Sequence, residues 1–165
     1  MLSWKLANMS AIRHGTAPFP VGEVSTGAGN SALLGLEIQG VDGKEYRLVK
    51  ASEVEAAPAN KIFRRDSAGS TSAKVAIASS DACGVAVTGQ AALAVGDYFW
   101  LQIAGEVTLI KTGTLGAGLL LLTGAAGAAT NSASTGTTYE AAFPARAHTV
   151  VGTVVTAYLL SKLMG

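Results

Sequence analysis

The side chains in this chain best suited to chemistry are few and scattered. There are two histidines, His14 and His148, one cysteine, Cys83, and 11 carboxylates. The histidines lie far apart, and neither sits in a metal-binding spacing such as HExxH. A lone cysteine can form neither an internal disulfide nor a cysteine-based zinc site. Cys83 lies among apolar neighbours in Asp81-Ala82-Cys83-Gly84-Val85, where a small buried hydrophobe is expected. Serines are plentiful, but no G-x-S-x-G elbow accompanies them. Glu23, Glu37 and Glu106 show no pairing that spacing could establish.

Two glycine motifs could suggest phosphate binding. Gly27-Ala28-Gly29-Asn30-Ser31-Ala32 matches G-x-G-x-x-G/A, a loop that works only after a buried strand and at the start of a helix, whose N-terminus meets the pyrophosphate. Val24-Ser25-Thr26 is a poor strand and Leu33-Leu34-Gly35-Leu36 a poor helix. Gly43-Lys44 lacks the upstream glycine and the following Ser/Thr of a phosphate loop. The chain is therefore expected to have no catalytic residues, no cofactor and no metal site, and to act by binding or building rather than as an enzyme.

Composition narrows the class of partner. Charged residues make up 14% of the chain and the net charge is +1, against ~25% charged in an average domain. Arg64-Arg65 with Lys61 is the one local basic cluster, and Asp66 follows at once; nucleic acid is not an expected partner. Residues 115–129 are apolar, but the run is shorter than the ~20 residues of a spanning helix and is interrupted by Gly116, Gly118, Gly124 and Gly127. No membrane span is expected. Met1-Leu2-Ser3-Trp4-Lys5 does not read as the start of a secretory signal, so the sequon Asn8-Met9-Ser10 is expected to be idle. Twenty glycines and only 6% aromatic residues leave thin side chains for a core, which favours burial against neighbouring molecules.

The elements that must carry any binding surface are strands. Residues 34–39 alternate, Asp42-Gly43 is a turn signal, and residues 44–50 return as the second arm of a hairpin, with Tyr46 and Leu48 on one face. Further strands are predicted at 61–64, 74–78 and 84–87. Val95 to Lys111 reads as a central hairpin broken at Ala104-Gly105. On its first arm Tyr98, Trp100 and Gln102 face one way and Phe99, Leu101 and Ile103 the other. Two apolar faces suggest that one packs a core and the other meets a partner. Residues 118–123 read as a fully buried strand, 124–138 as a low-complexity loop, 149–157 as the last strand, and 158–164 as a helical turn or docking peptide. Pro18, Pro20 and the absence of a lasting period make residues 1–32 an extended N-terminal arm, with Trp4, Ile12 and Phe19 as anchors, ahead of a β-rich domain at 33–165. About nine short strands with glycine turns give an all-β fold, a small sandwich or barrel.

The order Gly43-Lys44-Glu45-Tyr46-Arg47-Leu48-Val49-Lys50-Ala51, then Gly84-Val85, then Val95 to Gly105, then Gly116-Ala117-Gly118-Leu119-Leu120, then Val151-Gly152-Thr153-Val154 resembles the small capsid decoration, or cement, proteins of tailed bacteriophages. The resemblance spans residues 33–158 and leaves the arm unmatched. It implies a virion protein on the outer surface of the head that binds the major capsid protein and itself, as a trimer or dimer, and stabilises contacts between capsomers. The interface residues expected are Trp4, Ile12, Phe19, Tyr98 and Trp100, since aromatic residues dominate hot spots. A carbohydrate-binding module of a tail fibre or spike is the alternative reading.

Overall fold

The structure, a computed structural model, describes residues 12–14, 17–40, 43–67, 69–78, 80–131, 145–159 and 162–163. Among them are twelve strands: β1 (Ile12–His14), β2 (Glu37–Gly40), β3 (Glu45–Ala51), β4 (Ile62–Arg65), β5 (Ser72–Val75), β6 (Gly84–Ala86), β7 (Tyr98–Ala104), β8 (Glu106–Ile110), β9 (Leu120–Thr123), β10 (Ala129–Asn131), β11 (Ala145–Val151) and β12 (Val154–Leu159). The all-β expectation is met, with more and shorter strands than the pattern predicts.

The strands form two curved sheets. In the first, β3 pairs with β5, β5 with β4, β4 with β6, β6 with β7, and β7 returns to β3, which closes a five-stranded barrel. The β3–β5 pair is parallel and the others are antiparallel. Strands β2 and β1 extend this sheet outward from β3. The second sheet runs β10-β9-β11-β12-β8. It curls until its ends meet at a parallel bridge between Lys111 and Ala129, where the Thr112 amide donates to the Ala129 carbonyl at 2.9 Å. Closure removes most of the exposed edge that a short-stranded sheet would otherwise present.

The predicted hairpin at 34–50 is present, with Glu37 opposite Arg47 and Ile38 opposite Tyr46. The central hairpin is not. β7 pairs with β3 and β6, while β8 pairs with β12. Gly105 between them is where the chain leaves one barrel for the other. It has φ +88°, and a Cβ there would stand 3.2 Å from the Lys44 Cα, so glycine is needed both for the turn and for the close approach. The predicted strand at 149–157 is itself a hairpin. β11 and β12 pair antiparallel about Gly152, whose φ of +55° sets the turn.

Three groups of buried side chains hold the fold. Val49, Phe63, Phe99 and Leu101 fill the first barrel. Leu109, Leu121, Val155 and Ala157 belong to the second, together with Ile62, Val85 and Ile103 from strands of the first. Alternation therefore serves both cores at once: β4 gives Phe63 to one and Ile62 to the other. The third group, Phe19, Tyr46, Leu48, Tyr98 and Trp100, lies outside the first barrel and beneath the segment that begins at Ala17.

Residues 17–25, placed in the arm by the sequence, lie against the body. Ser25 and Tyr98 exchange backbone hydrogen bonds at 3.0 and 2.8 Å, and the Phe19 ring lies 5.8 Å from Trp100. Before residue 17 the predicted arm lies outside the described residues, apart from the β1 backbone.

Residues 118–131 also depart from the prediction of a fully buried strand followed by a loop. The strand is half-buried, with Leu121 and Thr123 inward and Leu120 and Leu122 partly open. The start of the low-complexity run forms a short 3-10 turn at Ala125–Gly127 and then β10. Gly127 has φ +72°, donates its amide to the Ala76 carbonyl at 2.8 Å, and leaves only 2.8 Å between a would-be Cβ and the Ile62 carbonyl oxygen. Small residues recur here because the second sheet is pressed against the wall of the first.

Two outcomes follow. Trp100→Ala should lower stability by about 3–5 kcal/mol, the usual loss for a large buried aromatic, read as a drop in the urea midpoint. Gly127→Ala should lower the thermal midpoint markedly, whereas Gly113→Ala, where nothing lies within 4 Å of the added carbon, should cause only the smaller loss due to its positive φ.

Candidate functional site

The five residues expected at an interface fall in three different places. Trp4 lies outside the described residues. Ile12 is in β1, which pairs with β2 at the sheet margin. Phe19, Tyr98 and Trp100 are core side chains, 7%, 6% and 0% exposed. The Trp100 Nε1 donates to the Phe19 carbonyl oxygen at 3.0 Å. An indole with its N–H satisfied and its ring covered on both sides has nothing left to offer a partner. The second apolar face of β7 is covered, as an apolar face must be, but by this chain's own residues 17–24 and not by another molecule.

One exposed surface is the outer face of the second sheet. Register places Leu120, Arg146, Tyr158 and Glu106 side by side across β9, β11, β12 and β8. Tyr158 is 48% exposed. Its hydroxyl is hydrogen-bonded to Glu106, which raises its pKa above the ordinary tyrosine value. The His148 ring packs edge-on against Tyr158 with centroids 5.4 Å apart, and its Nδ1 lies 3.0 Å from the Thr149 hydroxyl. Val151 and Leu119 add exposed apolar area on the same sheet and the turn leading into it. An aromatic ring, a guanidinium and aliphatic groups in one row are the side chains that carry binding energy at protein interfaces. Sequence reading missed this row because it took 149–157 as one strand, which left Arg146 outside it and Tyr158 in the tail. Gly152 was the available signal.

The tail docks on its own chain. The Leu163 amide donates to the Ile103 carbonyl at 2.9 Å, and its side chain is buried in the second core. Lys162 reaches Glu37 and, at 2.9 Å, Glu45.

No group of three or more His, Cys, Asp or Glu residues that could hold a metal occurs among the described residues, and no helix among them is long and apolar enough to cross a membrane. The segment matching the dinucleotide pattern is a 3-10 turn, Ala28–Leu33, so it offers no α-helix N-terminus to a phosphate. Lys61 of the basic cluster pairs with Glu55 at 3.0 Å, and Asp66, which follows the cluster, pairs with Lys74.

Cys83 is free and buried in the first barrel. Burial pushes its thiol up to about 12, against a smaller opposing pull from the Arg47 and Arg65 guanidiniums. The neutral thiol is thus favoured by the fold, and the stability this confers is fully present below the ordinary thiol pKa. It is lost as pH rises from about 9 towards 12, because the unfolded chain then releases a proton that the folded chain holds. Urea midpoints measured across that window should fall more steeply for the native chain than for Cys83→Ala, and a thiol reagent at neutral pH should label Cys83 only after denaturant is added.

No family model and no curated protein matches this chain. Among solved structures, its fold is similar to that of the head fiber gp8.5 N base in bacteriophage phi29, with a TM-score of 0.52 and 20% sequence identity over 73% of this chain and 98% of that one.

Proposed function

We propose that this chain is a structural component of a tailed-phage particle, held on the outer surface of the head by contact with the major capsid protein. The carrying observation is the fold similarity, which takes in 98% of the phage head fiber base. A second support is the distribution of side chains: the apolar material of both barrels is used internally, while Arg146, Tyr158 and their neighbours form a compact row on one outer face.

The physical role follows from that arrangement. One copy offers a row only a few side chains wide, well short of the ~800 Å² per partner of a standard stable interface. Several copies joined as a trimer or dimer convert later contacts into intramolecular ones, with gains of about 10²–10⁴ in avidity. A decoration protein acting this way ties neighbouring capsomers together without needing a tight single contact. The double-barrel body suits the task, since a closed sheet gives a rigid platform with few free edges.

The carbohydrate-binding alternative has one feature in its favour, a cleft of about 280 Å³ bounded by Lys44, Tyr46, Glu106 and Thr108. The Gln102 amide nitrogen in that cleft already donates to the Ala104 and Glu106 carbonyls at 3.0 and 2.7 Å, which leaves it poorly placed to read a sugar.

Tagged chain mixed with undecorated heads should co-sediment with them in numbers that match a repeated site on the shell. Tyr158→Asp together with Arg146→Glu should cut that binding about tenfold or more while leaving the thermal midpoint close to native, because both side chains lie on the solvent face. Binding to glycans with no affinity for heads would replace this reading by the carbohydrate one.

A further inference from the structure

One edge of β8 is closed at both ends and open in the middle. β8 pairs with β12 from Glu106 opposite Tyr158 to Ile110 opposite Val154. Two bonds fix which backbone groups that pairing uses. The Leu159 amide donates to the Gly105 carbonyl at 3.2 Å, and the Lys111 amide to the Thr153 carbonyl at 3.0 Å. In an antiparallel pair, hydrogen-bonded and non-hydrogen-bonded positions alternate. Gly105, Val107, Leu109 and Lys111 therefore turn their backbone groups to β12, and Glu106, Thr108 and Ile110 turn theirs the other way.

At these three residues the far edge has three fates. The Glu106 carbonyl accepts from the Gln102 amide nitrogen at 2.7 Å. The Ile110 amide donates to the Asn60 carbonyl at 3.0 Å. Between them, nothing among the described residues pairs with the Thr108 amide or carbonyl. β8 is the end strand of its sheet, and the curl of that sheet meets it only beyond Ile110, at Lys111. The opening from Glu106 to Ile110 is ~13 Å long at the rise of a strand. It borders the cleft of about 280 Å³, which is lined by Glu106 and Thr108 of β8 and by Ala86, Val87 and Thr88 at the end of β6.

An open backbone donor and acceptor on a sheet edge are a template for another strand, and extended peptides are commonly bound in this way. Folds blunt such edges with charge, proline or a bulge. Residues 107–110 carry no charge and no proline, and their register with β12 is unbroken. What reaches this edge is set by its neighbour. Glu106 belongs both to the edge and to the exposed row with Arg146 and Tyr158, so a molecule that covers the row also meets Thr108.

We propose that β8 accepts one extended segment of the capsid protein as an added strand, paired backbone to backbone at Thr108. This rests on the capsid reading of the outer row and extends it from side chains to main chain. Gln102 and Asn60 act as stops, which limits the paired stretch to about three residues and fixes its register. Side chains that the added strand turns into the cleft meet Ala86, Val87 and Thr88, so small neutral residues suit it. Proline at the paired position is excluded, because it has no N–H for the Thr108 carbonyl.

The test uses the full chain and undecorated heads. Thr108→Pro removes an outward donor without touching a bond to β12, which is where an edge strand tolerates proline. It should weaken head binding about tenfold, the scale of one or two lost hydrogen bonds. Thr108→Ala keeps both backbone groups and should bind like the native chain. In parallel, hydrogen exchange of the peptide covering residues 106–110 is compared in free and head-bound protein, and its open amides should exchange at least tenfold more slowly on the heads. Undiminished binding by Thr108→Pro overturns the proposal. A loss in Thr108→Ala as large as that in Thr108→Pro also overturns it, since the side chain would then be what is read. Should the proline variant unfold, exchange decides alone: an unprotected 106–110 peptide on heads that do bind rejects the added strand and leaves the functional reading standing. A native chain that does not bind heads at all rejects both. Protection already present in the free chain, and lost on dilution, would seat a second copy on this edge and overturn the capsid assignment.

Discussion

The seven residues from Tyr98 to Ala104 present bulky apolar groups on both faces, and water tolerates neither. One face fills a five-stranded barrel with Phe99 and Leu101; the other, with Tyr98 and Trp100, must be covered from outside. The chain solves this by laying residues 17–24 across it and tying them down with the bond from the Trp100 indole to the Phe19 carbonyl. Once β7 is enclosed on both sides it can have no hairpin partner immediately after it, because β3 and β6 already occupy its two edges. The chain must turn away at Gly105, and a second barrel begins. The division into two curled sheets thus follows from the burial of one strand.

Local signals in the sequence were read correctly where a single strand and its turn decide the outcome. Asp42-Gly43 marked the 37–51 hairpin, alternation placed Tyr46 with Leu48, and the apolar neighbours of Cys83 gave its burial. The errors share a different cause. Val95 to Lys111 looks like a hairpin because two strand-like runs flank a glycine, yet a hairpin and a strand crossover have the same local sequence. What separates them is which edges are free, a property of strands 50 residues away in β3 and β12. The same holds for Trp100. An aromatic residue on a second apolar face reads as an interface until the covering segment is found some 80 residues upstream. Residues 145–159 differ for a local reason instead: Gly152 turns the chain back between two strands where the pattern predicts one.

Composition makes sense in the same terms. The alanine- and glycine-rich stretches looked like loops because small residues give weak patterns. At Gly84 a Cβ would stand 2.5 Å from the Leu101 Cβ, and at Gly127 the Ile62 carbonyl leaves no room. Ala76, Ala129, Ala145, Ala147 and Ala157 are all buried in the core that the two sheets share. Short strands in tight rings bring walls close together, and only small side chains fit between them. The low aromatic content is therefore a packing requirement, and it need not imply burial against another molecule.

This bears on how the protein could hold a partner. With its large aromatic side chains spent internally, the body has only modest rows of exposed groups to offer, such as Arg146 beside Tyr158. Such rows bind weakly one at a time and well in number, so a repetitive surface suits them better than a solitary receptor.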